Sequence, residues 1–247
     1  GKLLINKFKK KNIKYSNFNG DITKISNIEY WLEKEKNINY IFHFAAHTSV
    51  KKSKQNKKKT YNINVLGVEN IIKSINQSKK KIFLFFSSSS HVYKFSKKKI
   101  SERSILSPIS YYGKTKLMAE KKIRSNKNKN FDYFIGRIFS IYHKSQKKPF
   151  LYPSIKEKIK KKSKKIYIEN GNCIRDFSNA EYIIRIILQV YKKRLKGIFN
   201  IGSGKGISIK NFVYKNINKK KQIYSNSKIN YSVANINKIK RAKIKLV

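Results

Sequence analysis

Apolar and polar positions along the chain follow two rhythms. Short dense apolar runs, "INYIFHFAA" (38–46), "KIFLFF" (81–86) and "FDYFIGRIFSI" (131–141), have the length and aromatic or β-branched content of buried strands. Between them the period lengthens. In "YNINVLGVENIIKSI" (61–75), Val65, Val68, Ile71, Ile72 and Ile75 recur at helical spacing, and "ISNIEYWLEKEK" (25–36) and "YYGKTKLMAEKKI" (111–123) also predict helices. "IKYSNFN" (13–19) predicts a short strand. The second half is less regular. It predicts a basic helix over "YPSIKEKIKKKSKK" (152–165), a strand in "IYIEN" (166–170) and an amphipathic helix over "NAEYIIRIILQVYKK" (179–193). "GIFNIGSGKGISI" (197–209) reads as strand, glycine turn and helix start. Alternating β and α elements with apolar strands predict an α/β fold: a parallel sheet with helices on both faces.

Composition narrows the class. The chain has 247 residues, 39% of them hydrophobic, enough for a sizeable core. One cysteine, Cys173, excludes an internal disulfide and suits a reducing compartment. No apolar run approaches the roughly 18 residues that span a bilayer, and "GKLLINKFKKK" lacks the apolar core of a signal peptide. A cytoplasmic protein without a membrane partner is expected. The net charge of +48 suggests nucleic acid at first sight. Yet 53 of the 60 basic residues are lysine, spread along the chain, and Asn, Ile, Phe and Tyr are abundant while Pro and Gly are scarce. That is the composition of AT-rich coding, so only weak, salt-sensitive sticking to polyanions is expected, not a specific nucleic-acid partner. His43, His47, His91 and His143 have no ligand spacing with Cys173 or with carboxylates, so no metal site is expected. His43, within an apolar strand, reads as a core histidine.

Candidate chemistry begins at "FLFFSSSSHVY" (83–93), where a buried strand ends in four serines. In a parallel sheet, ligands bind at the carboxyl ends of strands. The next helix opens with Tyr112 and Lys116, four apart and therefore on one face. An ammonium near a phenol lowers the tyrosine pKa, and a tyrosine so tuned exchanges a proton with a substrate oxygen. The spacing alone says little: five Tyr-x-x-x-Lys pairs occur, starting at Tyr30, Tyr93, Tyr112, Tyr152 and Tyr224, against about three expected by chance. Only Tyr112 follows a serine-tipped strand. "GSGKG" (202–206) lacks the spacing of a phosphate-binding Walker loop and reads as structural.

These segments resemble, in order, motifs of the NAD-dependent epimerase/dehydratase family, extended short-chain dehydrogenases/reductases acting on nucleotide sugars. "FFSSSSHVY" is similar to that family's catalytic-serine strand and "SYYGKTKLMAE" to its tyrosine–lysine helix. "IFHFAAHTSV" and "NINVLGVENII" resemble its fourth strand and following helix, "GDIT" the segment near adenine, "GNCIRDFSNAEYI" the arginine segment facing the substrate diphosphate, and "FNIGSGKGISI" a late structural motif. The resemblance covers about residues 1–215. It implies a Rossmann-type, doubly wound parallel sheet over 1–150 and a small mixed α/β substrate-binding region over 151–247, with a helix returning to the core. Ser89, the third serine, aligns with the catalytic position, with Ser88 as the alternative, and Tyr112 and Lys116 complete the implied catalytic set. Gly1, Asp21, Ile22, Ala45, Ala46, His47, Asn64, Tyr112 and Lys116 are the implied contacts to NAD or NADP, and Ser89, His91, Ser140 and Arg175 those to the nucleotide sugar. A homodimer is the implied assembly.

Two departures stand out. Ser140 occupies the family's usual asparagine in "RIFS". "GKLLINKF" resembles only the last glycine of the family's G-x-x-G-x-x-G loop and its helix, so the first strand and most of the phosphate cradle are expected to be missing. The functions implied are reduction of a 4-keto sugar nucleotide, or alternatively epimerisation at C4. A non-catalytic remnant or binding module is the reading of another class. The sequence expectation for the cradle is testable: calorimetry on the 247-residue chain should show dinucleotide affinity weaker than micromolar, and tighter binding would overturn it.

Overall fold

The structure, a computed structural model, describes residues 1–160, 165–216 and 222–246. The first half runs α1 (Lys2–Lys9), α2 (Ile25–Lys34), β1 (Tyr40–His43), α3 (Val50–Gln55) and α4 (Lys57–Tyr61). A π-helical turn (Asn62–Leu66) leads into α5 (Gly67–Gln77), followed by β2 (Ile82–Ser89), a 3₁₀ turn (Ser90–Val92), α6 (Tyr111–Ser125) and β3 (Phe131–Ile138). Then come β4 (Ser140–Tyr142), α7 (Leu151–Lys160), β5 (Lys165–Tyr167), β6 (Ile174–Arg175), β7 (Phe177–Asn179) and α8 (Ala180–Lys193). The chain continues with β8 (Gly197–Ile201), β9 (Ile207–Ser208), α9 (Ile209–Asn216), β10 (Gln222–Tyr224), β11 (Tyr231–Ser232) and α10 (Asn237–Arg241).

The main sheet has the order β1-β2-β3-β8, and β1 runs parallel to β2 with Phe42 opposite Phe85. β2 is the strand the apolar run predicts, but it continues through the first three serines. A row of aromatic rings crosses all four strands: Phe42–Phe85 (5.8 Å between centroids), Phe85–Phe134 (5.4 Å, stacked) and Phe134–Phe199 (5.2 Å, stacked). A second apolar cluster joins α2, α5, α6 and the sheet through Ile28, Leu32, Val68, Ile75, Leu84 and Ile123. The helical period in 61–75 is therefore a core-facing stripe, with its first turn widened to π geometry.

Contacts divide the chain into two compact units. One comprises Gly1–Lys94, Ile105–Arg137 and Val190–Phe199; the other comprises Phe95–Ser104, Ile138–Gln189 and Asn200–Val247. The chain crosses between them repeatedly, so no single cut at residue 150 separates them. The second unit has its own core, in which Ile155, Cys173, Phe212 and Val213 are buried.

Two expectations need correction. The segment 13–19 is not a strand. A cavity of about 1090 Å³, lined by Leu4, Phe8, Trp31, Tyr40 and Phe42, lies between it and the free edge of β1, so no ladder forms there. The run 131–141 breaks into two strands: β3 pairs in the main sheet, and β4 turns away to pair with β7. The helix expected over 152–165 is seen as α7, and 161–164 lies outside the described residues. Among the described residues no helix is long and apolar enough to cross a membrane.

The aromatic row sets a test. Phe85 is fully buried between the rings of Phe42 and Phe134. Phe85→Ala should cost about 3–5 kcal/mol of unfolding free energy in urea melts. A loss below about 1 kcal/mol would mean the row does not hold the sheet.

Candidate active site

The end of β2 and the start of α6 are held together locally. Ser110 caps α6, its hydroxyl accepting from the Gly113 amide at 3.1 Å. Gly113 is required by a close approach: a Cβ there would sit 2.2 Å from the His91 carbonyl oxygen in the 3₁₀ turn after β2. The buried face of α6 carries Tyr112, Thr115, Lys116, Ala119, Glu120 and Ile123, so a helical stripe that is normally apolar here holds a phenol, an ammonium and a carboxylate.

That arrangement separates the serines. Ser89 bonds to the buried Tyr112 side chain, and its hydroxyl accepts from the His91 amide at 3.3 Å. Ser88 instead donates to Glu120 Oε1 at 2.5 Å. The His91 ring meets the Tyr112 ring edge-on at 5.7 Å. The other four tyrosines of the Tyr-x-x-x-Lys pairs stand elsewhere. Tyr30 and Tyr224 are exposed, Tyr152 lies in α7, and Tyr93 accepts from Arg137 Nη1 at 2.9 Å.

The electrostatics correct one expectation. Burial pushes the Tyr112 phenol up to about 12, with the Ser89 hydrogen bond pulling the other way. The expected lowering by Lys116 is not found, because the ammonium points back to the strand and donates to the Ser87 carbonyl at 2.7 Å. Lys116 also lies over the Phe86 ring, 4.6 Å from its centroid. Burial brings its pKa down to about 7, opposed by the Glu120 charge. His43 is a core residue as expected, stacked on Phe86, but its Nε2 has no partner among the described residues. Burial, reinforced by Lys116, brings it down to about 3 and keeps it neutral.

Sequence reasoning missed the polar cluster behind this pair. Arg137, on β3, is almost fully buried and grips Glu120: Nε lies 3.0 and 3.1 Å from the two carboxylate oxygens and Nη2 lies 2.7 Å from Oε2. The available signal was an arginine inside an apolar run and a glutamate four residues beyond Lys116.

The residues expected along the dinucleotide are in the same unit, several of them engaged with the protein. The Asp21 carboxylate accepts from the Thr23 amide (2.9 Å) and hydroxyl (2.8 Å), which holds its pKa below the usual range. The Ile22 carbonyl accepts from Asn70, and its side chain fills the space a Cβ on Gly67 would need. Asn64, in the π-helical turn, accepts from the His47 amide at 2.7 Å and donates to Thr115 at 3.0 Å, tying the turn after β1 to α6. The His47 ring bonds Thr60. Gly1 and Ala45 line the cavity beside β1, and Ala46 adjoins them. Ser140 and Arg175 lie in the second unit. Ser140 opens β4 opposite Phe177. Arg175 donates to the carbonyls of Ile174 (2.9 Å) and Asn230 (3.3 Å) and lies over the Phe95 ring.

Arg175 does not pair with Asp176. That buried carboxylate accepts from the Ser203 amide (2.8 Å) and hydroxyl (2.6 Å), the Gly204 amide (2.8 Å) and the Ala234 amide (3.3 Å). The "GSGKG" loop thus makes an anion cradle filled by the protein's own carboxylate, which accounts for its structural character.

A serine at a strand end bonded to a tyrosine, with a lysine one helical turn on, is the arrangement of a short-chain dehydrogenase/reductase. The family model described as GDP-mannose 4,6 dehydratase matches residues 3–246. The chain belongs to this family of NAD-dependent nucleotide-sugar epimerases and dehydratases. A UDP-glucose 4-epimerase of Lactobacillus helveticus is 29% identical over 213 residues, covering 77% of this chain and 64% of that protein. The chain therefore spans less than two thirds of that relative's length. Two solved structures share the fold. RMD from Pseudomonas aeruginosa, complexed with NADPH, matches with a TM-score of 0.82 at 16% identity over 98% of this chain and 88% of that one. A dTDP-4-dehydrorhamnose reductase of Clostridium acetobutylicum matches with a TM-score of 0.82 at 19% identity, over 98% and 89%.

Gly113 supplies a test whose sign discriminates. Glycine to alanine inside a helix ordinarily gains up to about 1 kcal/mol. Here Gly113→Ala should lose about 1–3 kcal/mol, since the new methyl meets backbone. A raised melting temperature would overturn the close approach.

Proposed function

We propose that the protein reduces a 4-keto sugar nucleotide with NADH or NADPH. The observation that carries this reading is the buried Tyr112–Ser89 pair, whose phenol is held in its protonated form. A phenol is protonated at neutral pH and burial keeps it so, which leaves a proton to give to an alkoxide-like oxygen gaining charge, a far stronger base than the phenolate. The dinucleotide belongs in the first unit, which holds Ser89, Tyr112 and Lys116. The residues fit a dinucleotide in one specific respect: the buried Lys116 ammonium has three donors and one acceptor, Ser87 O, among the described residues. When bound, the nicotinamide supplies the hydride for C4. Ser89 donates a hydrogen bond to the C4 carbonyl oxygen and orients it. Tyr112 gives that oxygen its proton as the carbonyl becomes an alcohol, and the phenolate recovers its proton from solvent. Lys116 binds the nicotinamide ribose and stabilises the phenolate. Ala45 and Ala46 allow close backbone approach, Asp21, Ile22, His47 and Asn64 frame the rest of the dinucleotide, and Gly1 opens the helix toward its pyrophosphate. Arg175 receives the substrate diphosphate, and Ser140 and His91 border the sugar. The Pseudomonas RMD complex with NADPH and the Clostridium reductase support this reading.

Epimerisation at C4 is the second reading, favoured by the similarity to the Lactobacillus enzyme. It uses the same tyrosine and serine, with hydride removal preceding its return. Dehydration across C5 and C6 is not proposed, despite the family model's description. It needs two positioned acids, and the residues after the catalytic strand are Ser90 and His91, with no carboxylate between Glu69 and Glu102.

The test is mass spectrometry of CDP-, GDP-, dTDP- and UDP-hexoses and their 4-keto forms, incubated with the chain at millimolar NADH or NADPH. A gain of two hydrogens by a 4-keto substrate is expected, and Tyr112→Phe should slow it at least about 100-fold. A new diastereomer of unchanged mass would replace reduction by epimerisation. Loss of water from an unmodified hexose, or full turnover by Tyr112→Phe, would overturn the assignment.

A further inference from the structure

A charged lysine inside a core needs a reason to keep its proton. Lys116 is 2% exposed, and burial alone works against its charge. Several elements supply the groups around it. On β1, His43 is neutral. On β2, the neighbours are the Ser87 carbonyl and the Phe86 ring. The 3₁₀ turn brings His91, whose ring rests against Tyr112. The π-helical turn contributes Asn64, a neutral amide. On α5, Glu69 is committed to Lys122. The lysines of α3 and α4 (Lys51, Lys52, Lys54, Lys57, Lys58 and Lys59) are exposed and of the wrong sign. On α6 itself, Tyr112 is protonated and Glu120 stands one turn beyond Lys116. On β3, Arg137 is bound to Glu120.

Among these groups, Glu120 is the carboxylate whose charge favours the ammonium. It cannot turn away, because Ser88 and Arg137 hold its oxygens from two strands. We infer that Glu120 is a positioning residue for Lys116: it is the fixed internal counter-charge of the ammonium. This rests on the reading of Tyr112 as the acid, because a charged Lys116 is what stabilises the phenolate left after proton transfer. The Arg137 pair thus serves a second end. It fixes the carboxylate at one distance from Lys116, and Ser88 ties that carboxylate to the strand that carries Ser89.

The test reads the Lys116 proton without any turnover. Thermal melts of the wild type and of Lys116→Met are compared from pH 5 to about 10. Below the folded pKa, both folded and unfolded wild type hold the proton, and the difference in melting temperature is flat. Above about 7 the folded lysine has released its proton while the unfolded one, titrating near 10.4, still holds it. The unfolded state then binds more protons, so the wild type gains on Lys116→Met as pH rises. The pH at which the difference starts to climb reports the folded lysine.

In the Glu120→Gln background, compared with Glu120→Gln/Lys116→Met, that onset should fall by about 1 or more in pH. If Glu120→Gln unfolds because Arg137 loses its partner, Glu120→Leu/Arg137→Met removes both charges and the onset should still fall, by less, because the repulsion from Arg137 goes as well. Ser88→Ala keeps both charges and should leave the onset in place. An onset unmoved without the carboxylate would overturn the inference. So would an equal fall in Ser88→Ala, which would point to general loosening of the core. A shifted onset in a protein that reduces no sugar nucleotide would leave this inference standing and sink only the proposed reaction.

Discussion

The site depends on one buried ion pair. Burying Arg137 and Glu120 costs the hydration of two charges, and such a pair is sustained only when its remaining donors and acceptors are also met. Here they are: Glu120 takes three contacts from Arg137 and a fourth from Ser88, and Arg137 spends another donor on Tyr93. The pair links β2, α6 and β3 at the end of the sheet where the serine strand stops. Burial works against the Arg137 charge and the Glu120 carboxylate overrides it, so its pKa lies above the ordinary value. An apolar substitute could pack the same space. It could not bond Ser88, and it would leave Lys116 without a counter-charge.

The same logic explains where the acids of this chain are placed. There are 12 of them against 60 bases, and all but Glu120 and Asp176 keep some exposure. Three acids serve the interior. Glu120 anchors the strand–helix junction, and Asp176 fills the loop over 202–206. Glu102 accepts from the Asn200 amide at 2.8 Å. Each satisfies donors that would otherwise be left unpaired in the interior.

What the sequence made legible follows from which signals survive a lysine-saturated composition. Long apolar strands did: 81–86 and 131–141 stand out because lysine is absent from their interiors. The short helices at 50–61 did not, since "VKKSKQNKKKTY" has almost no apolar period and its helices rest on caps from Ser49 and Asn56. The segment 13–19 has strand-like residues, but a strand exists only when a neighbour pairs with it. The serine–tyrosine–lysine set was readable because order along the chain selected one of five tyrosine–lysine pairs.

What the spacing could not give was direction. Four residues place Tyr112 and Lys116 on one helix face, but the ammonium folds back onto the Ser87 carbonyl, and burial governs the phenol. The distinction changes the chemistry. A phenolate would be a base waiting for a substrate hydroxyl. In the proposed reduction, the protonated phenol beside Ser89 is the acid that meets a carbonyl oxygen. Burial of the α6 face favours the protonated form further, and that face is held in the core by Gly113, which lets the first turn of the helix rest on the His91 carbonyl, and by Glu120, which ties its third turn to Ser88.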